Sequence, residues 1–136
     1  MNKLISMTMM AAGFLFSSMS VASDEFDKKD MELFEEEFMH VVKKGRAAFT
    51  DPTLGGSKNG VVCAQCHPNA TNTHPETYPK FQKQMGRVAE LAEMINWCII
   101  NPLEGEAIAL DSQEMIALQA YINYERRGVP LAPGKH

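Results

Sequence analysis

Three observations predict an all-α fold. Apolar residues recur at intervals of three and four in three separate segments, no long run alternates with a period of two, and the prolines fall between those segments rather than within them. With 136 residues, 45% of them hydrophobic and 8% aromatic, there is material for one compact domain. A formal net charge of -4 excludes the basic footprint of a nucleic-acid binder, and it is too small for a disordered acidic protein.

The chain opens with a segment of another kind. Met1, Met7, Met9, Met10 and Met19 crowd around an apolar run from Met7 to Phe16, with Lys3 before it and Ser20-Val21-Ala22 after it. An early positive charge, a short apolar core and a small-x-small end make a secretory signal, and the run is too short to span a bilayer. Cleavage is expected after Ala22, so that residues 1–22 are a signal peptide and 23–136 an exported, periplasmic domain with no transmembrane anchor. Removing Lys3 and no acidic residue leaves that domain more acidic than the whole chain.

A first helix is expected from about Asp30 to Phe49. Phe34, Phe38, Val41, Gly45 and Phe49 share one face, while Glu32, Glu35, Glu36 and Glu37 come early and Lys43, Lys44 and Arg46 late, an order that complements the helix dipole. Gly45 costs about 1 kcal/mol against alanine in a helix interior. Its place on the apolar stripe reads either as a close crossing by another helix or as a helix end at Lys44-Gly45.

Residues Thr50 to Gly60 are turn chemistry, and they deliver the chain to Cys63-Ala64-Gln65-Cys66-His67. This is C-x-x-C-H, the attachment signature of a c-type haem. Two thiols three residues apart let one helical turn present them to the two vinyl groups of a porphyrin, with the adjacent histidine beneath the iron as proximal ligand. Two other uses of these cysteines are weaker. A dithiol redox pair would want alternating strands and helices, and a zinc site would need Cys98 and His74 besides Cys63 and Cys66, leaving His67 idle.

The following loop, Pro68 to about Phe81, carries Pro68, Pro75 and Pro79 and is expected to wrap the haem edge, with Tyr78 or Phe81 as covering aromatics. His74 reads as a solvated loop histidine. A second helix is expected over roughly Gln82 to Asn101, with Val88, Leu91, Ala92, Ile95, Cys98 and Ile99 on one face and Pro102 as its stop. Leu103 to Leu110 connects it to a third helix. That helix starts at Asp111 or Ser112, where Asp111 and Glu114 have the spacing of a capping box, and buries Met115, Leu118 and Ile122 with Tyr121 near the boundary. Arg126-Arg127-Gly128 and Pro130 end it. For the position opposite His67 the residues alone leave Met85, Met94, Met115 and the Cys98 thiolate as candidates.

A helix, the haem motif, loops, a middle helix and a terminal helix, in that order, resemble a class I cytochrome c domain, three main helices and loops around one covalently attached haem. In that fold the first and last helices cross near a glycine and an aromatic, matched here by Gly45, Phe49 and Tyr121. Gly45-Arg46-Ala47-Ala48-Phe49, Leu54-Gly55 and Asn59-Gly60-Val61-Val62 leading into the motif resemble the haem-binding stretch of the SoxA and thiosulfate dehydrogenase cytochromes. Tyr78-Pro79-Lys80-Phe81, Ile95-Asn96-Trp97-Cys98-Ile99 and Ser112-Gln113-Glu114-Met115 continue the likeness, which runs from about Lys44 to Gly128.

The resemblance implies that Cys98 ligates the haem iron opposite His67 and can carry a sulfur substrate. Histidine/thiolate ligation implies a low reduction potential, because a thiolate favours the ferric state. The sequence departs from the family's enzymes at Met94, where they carry an arginine one helical turn before the ligating cysteine. Arg87 is the nearest cation upstream, with Lys80 and Lys83 in the preceding stretch. The expected function is single-electron transfer between redox partners that present basic docking patches, in sulfur-compound metabolism. The alternative is a haem subunit of a thiosulfate-oxidising enzyme, in which Cys98 binds a sulfur oxyanion substrate. A weak sixth ligand would instead suit the sensing of a diatomic gas.

Overall fold

The computed structural model describes residues 26–133. The expected signal peptide lies outside them. Asp27 opens the first helix, α1 (Lys28–Phe49), by accepting hydrogen bonds from the Lys29 and Asp30 amides, while Asp30 Oδ2 accepts from the Asp27 amide at 3.0 Å. This capping box starts the helix slightly before the expected Asp30, which serves as the far half of the cap.

Val42, Gly45 and Phe49 form the buried face of α1. The expected stripe fails at its other end: Phe34 and Phe38 are each 46% exposed and pack against the rings of Phe26 and Tyr124. The amino-terminal half of the helix runs past the body of the domain, so the same 3.6-residue period finds a core only from Met39 onward.

The terminal helix, α4 (Gln113–Glu125), crosses α1 at Gly45. A Cβ at that position would stand 1.8 Å from the Ala117 carbonyl oxygen and 2.8 Å from Tyr121 Cβ. Only a hydrogen fits there, and the helix continues to Phe49, so the crossing and not a helix end accounts for the glycine. Beside it Phe49 and Tyr121 pack with ring centroids 5.1 Å apart. Of the two expected starts for α4, Ser112 is the N-cap, its hydroxyl accepting from the Met115 amide at 3.1 Å.

Between these helices lie the single turn α2 (Cys63–Cys66), an antiparallel hairpin of β1 (Lys80–Gln82) and β2 (Arg87–Ala89), and α3 (Leu91–Ile100). The hairpin corrects the expectation of a helix from Gln82. Gly86 adopts a left-handed φ of 68°, its amide returns to the Gln82 carbonyl at 2.8 Å, and Phe81 pairs with Val88. Val88, expected on the buried face of the helix, is therefore 60% exposed on the hairpin. Helix α3 begins later, where the Glu90 amide donates to Glu93 Oε2 at 2.8 Å. From there Leu91, Ala92, Ile95 and Ile99 are buried as expected, joining Leu54, Met115 and Leu118 in the core. Among the described residues no helix is long and apolar enough to cross a membrane.

Candidate haem-binding cleft

The segment entering α2 is tied to the segment leaving α3. The Asn59 side chain accepts from the Val61 amide at 3.0 Å and donates to the Pro102 carbonyl at 3.1 Å, and the Ser57 hydroxyl donates to the Leu103 carbonyl. These bonds hold the motif turn and the end of α3 as neighbouring walls of one cleft. Within the turn the Val62 amide reaches Gln65 Oε1 at 3.3 Å, so Cys63 and Cys66 occupy the two ends of a single helical turn. His67 follows as its C-cap.

The His67 ring is oriented by its own chain. Nδ1 lies 2.9 Å from the Thr71 carbonyl oxygen. A carbonyl only accepts, so Nδ1 is the donor, and in the neutral ring Nε2 is then the nitrogen with its lone pair free, the arrangement that a metal-ligating histidine requires.

The cleft has about 1170 Å³ of empty space, its open mouth included. Cys63, Cys66 and His67 line it together with Cys98 and Met94 from α3, and Leu91, Ile95, Leu103, Leu118 and Ile122 give it an apolar lining. Burial pushes the Cys63 and Cys98 thiols up to about 11 each, and in both cases the charge of a neighbouring cleft cysteine acts in the same direction. The sulfur candidates for the distal position thus separate by place. Met94 and Cys98 face the cleft, Met115 is fully buried in the core away from it, and Met85 sits in the hairpin turn. Met94 sulfur already accepts from Gln84 Nε2 at 3.3 Å.

His74 is not part of this wall. Its Nδ1 pairs with Glu76 at 2.9 Å, and Arg126 reaches the same carboxylate oxygen at 3.5 Å. The zinc alternative thereby loses its fourth ligand, and among the described residues no group of histidine, cysteine and acidic side chains gathers to hold a metal ion. Of the two candidate covering aromatics, Tyr78 lines the cleft, while Phe81 is 50% exposed on the hairpin. Arg87, the nearest cation upstream of Cys98, is engaged by Glu93 at 2.8 Å.

Lys80, expected in the loop, and Gln82, expected at the start of the second helix, both stand on β1 and also line the cleft. Lys80 Nζ lies 4.7 Å from the centre of the Tyr78 ring, and Gln82 Nε2 donates to the Tyr78 hydroxyl at 2.6 Å.

The SoxA/TsdA cytochrome c domain model matches residues 44–131. The chain belongs to the SoxA/TsdA cytochrome c family. Thiosulfate dehydrogenase of Psychrobacter arcticus is 31% identical over 80 residues, covering 53% of this chain and 24% of its own length. Thiosulfate dehydrogenase of Allochromatium vinosum is 31% identical over 85 residues, covering 54% of this chain and 32% of its own. The chain therefore spans a quarter to a third of the curated relatives it matches. The crystal structure of SoxXA from P. pantotrophus superposes with a TM-score of 0.66 at 19% identity over 79% of this chain and 42% of that one. That likeness gives the fold, a mostly helical cytochrome c domain.

A SoxA/TsdA cytochrome carries covalently bound haem c, and this cleft fits the group. It supplies two thiols at the required spacing, an imidazole whose Nδ1 is held by Thr71 so that Nε2 is left to face a metal, and a largely apolar lining.

Proposed function

We propose that the protein is an exported, periplasmic monohaem cytochrome c that passes single electrons between redox partners in sulfur-compound oxidation. Cys63 and Cys66 form the thioether links, His67 offers Nε2 to the iron, and Cys98 is the distal ligand. The observation that carries this reading is the convergence of those four side chains on one apolar cleft, with the His67 tautomer set by Thr71. Met94 shares the wall with Cys98, but its sulfur is turned to Gln84, which leaves Cys98 as the free donor.

Haem c, when bound, supplies the one-electron couple. The chain's own residues fix its environment. Thr71 keeps the imidazole pointing one way, Leu91, Ile95, Leu118 and Ile122 exclude water from the interior face, and a thiolate at Cys98 adds negative charge that favours the oxidised state. Optical and electron paramagnetic resonance spectra of the oxidised protein test the ligand set. The parent is expected to give a low-spin histidine/thiolate signature that Cys98→Ala abolishes, and identical spectra from the two would refute Cys98 as ligand.

Residues 1–22 act as a signal peptide, for which the intact mass of the protein recovered from the periplasm is the check: a chain beginning at Ser23 is expected. Its redox partners present basic surfaces, complementary to a chain of net charge -4 that becomes more acidic once Lys3 leaves with the signal peptide.

A second reading follows from the two relatives described above, each of which is named thiosulfate dehydrogenase. On that reading the chain is a haem subunit of a thiosulfate-oxidising enzyme, with Cys98 holding the sulfur compound. Reduction of the haem by thiosulfate in the parent and not in Cys98→Ala would favour it over a simple carrier.

A further inference from the structure

We infer that the amino-terminal half of α1 is a docking face for a basic amphipathic helix of a partner protein, which pairs with it as a short coiled coil. The inference rests on the reading that the redox partners present basic surfaces, and it names where and how one of them is held. Met31, Phe34 and Phe38 recur at intervals of three and four, and Val41 and Gly45 continue the same spacing. That is the a/d seam of a heptad repeat. Over its carboxy-terminal half the seam already has a partner, because α4 crosses at Gly45, beside the buried Val42 and Phe49. Tyr124, near the end of α4, meets Phe38 with ring centroids 6.4 Å apart, and there the cover stops. Every residue from Phe26 to Phe38 is exposed, with the Phe26 ring set edge-on against Phe34 at 5.1 Å. Three successive seam residues, all large and apolar, thus face water in line with an interface that the domain itself uses.

The charges beside the seam define what fits it. With Met31 at position a, Asp30 and Glu37 fall at g and Glu35 at e, so both flanks of the exposed stretch are acidic. Side chains at e and g set partner choice in a coiled coil, attracting lysine or arginine on the facing helix and repelling aspartate or glutamate. Between Asp27 and Glu37 six acidic side chains stand against two lysines, and Lys28 is itself engaged by Glu32 at 3.5 Å. That balance, -4, equals the formal charge of the whole chain, so all the other residues together are neutral and the excess negative charge sits on this half-helix. A second copy would set acidic flanks against acidic flanks, and an anionic bilayer would be repelled in the same way. None of residues 26–40 lines the haem cleft, so the face holds a partner at a place apart from the cofactor.

The test uses haem-loaded mature protein, with haem content, reduction potential and helicity measured first for every variant. A fluorescein-labelled synthetic peptide of about four heptads, with leucine at a and d and lysine at e and g, is titrated with the protein at about 0.15 M salt and followed by anisotropy. Two further peptides serve for comparison, one with glutamate at e and g, the other with the composition of the lysine peptide but its leucines moved off the seam. The parent is expected to bind the lysine seam peptide alone. Phe34→Ala, which favours the helix, should weaken that binding by about tenfold or more while leaving the potential and the optical spectrum unchanged. Glu35→Lys combined with Glu37→Lys should reverse the preference towards the glutamate peptide. The docking face does not exist if the parent binds none of the peptides, or binds the shuffled one as tightly as the seam peptide. A parent dimer in sedimentation equilibrium that Phe34→Ala makes monomeric, or binding to phosphatidylglycerol vesicles that Phe34→Ala abolishes, would overturn the proposal in favour of a second copy or a membrane. The underlying reading is checked separately: electron exchange with a basic partner that ignores salt counts against basic redox partners, whereas loss of peptide specificity alone removes only the docking face.

Discussion

Gly45 is a residue whose role is set by a single hydrogen atom. The Ala117 carbonyl lies where its Cβ would be, and backbone cannot swing aside as the end of a side chain can. Gly45→Ala is therefore expected to destabilise the haem-loaded protein by about 3 kcal/mol, the upper part of the range for overpacking, despite the better helix propensity of alanine. Chemical denaturation of parent and variant measures it; a change under about 1 kcal/mol would mean that the helices part easily. Glu76 makes a different kind of prediction. Burial raises the pKa of its carboxyl, but the His74 hydrogen bond, a bond from its own backbone and the charges of Arg126 and His74 outweigh that and hold it below the ordinary value of 4.5. A folded-state pKa lower than the unfolded one means that the native state binds fewer protons. The stabilisation is complete above the ordinary value and is lost as pH falls through the folded one. Stability measured from neutral pH down to pH 3 should fall less steeply for Glu76→Gln than for the parent. At this scale the sequence was most legible where chemistry is local. Cys63, Cys66 and His67 declare themselves by adjacency, whereas Lys80 stands about twenty residues from Cys98 and enters the site only through the strand that the fold makes of it.

At the scale of elements, the hairpin marks the limit of periodicity as a signal. Three-residue strands are too short to alternate visibly, and the leucine, alanine and isoleucine spacing of α3 extends backward by chance into Val88. The local cue was Gly86, which lets the chain turn with positive φ four residues after Gln82. Helix α3 carries Cys98 and is itself moored by Asn96, whose side chain accepts from the Ile108 amide at 3.0 Å and donates to the Ile108 carbonyl at 2.8 Å. One amide thereby satisfies both backbone groups of a residue in the long connection to α4. Asn96→Ala is expected to cost about 2 kcal/mol, one hydrogen bond's worth for each orphaned group, and to speed hydrogen exchange at the Ile108 amide. Exchange at Ile108 no faster than in the parent would show that water replaces the side chain without loss.

At the scale of the molecule, a chain of formal net charge -4 acts on a charged partner through its field as well as through contacts. Second-order rates of electron exchange with a basic partner should fall as ionic strength rises from about 0.01 M to 0.15 M, over which the screening length shortens from about 30 to 8 Å. Stopped-flow kinetics across that range is the check, and a flat profile would imply docking by apolar contact alone. Exposed aromatics on the amino-terminal half of α1 are the part of the surface that periodicity misassigned, since a helix shows its apolar stripe whether or not a core lies against all of it. The order of the three main helices around the haem motif, by contrast, was legible. Each main helix is bounded by caps, prolines or glycines that act over a few residues, and the haem motif fixed which segments had to face one another.

The crossing at Gly45 fastens the two ends of the domain, about seventy residues apart, and most of the residues that line the cleft lie on the loop between them. Closing a flexible loop twice as long costs only about 0.6 kcal/mol more, so a clasp of this kind is nearly indifferent to how much chain it encloses. New segments inserted at the exposed hairpin tip, between Lys83 and Gly86, should then leave the helical frame in register. What the clasp confers is room to vary: the walls of the cleft can be lengthened, trimmed or exchanged while the frame that holds them stays shut.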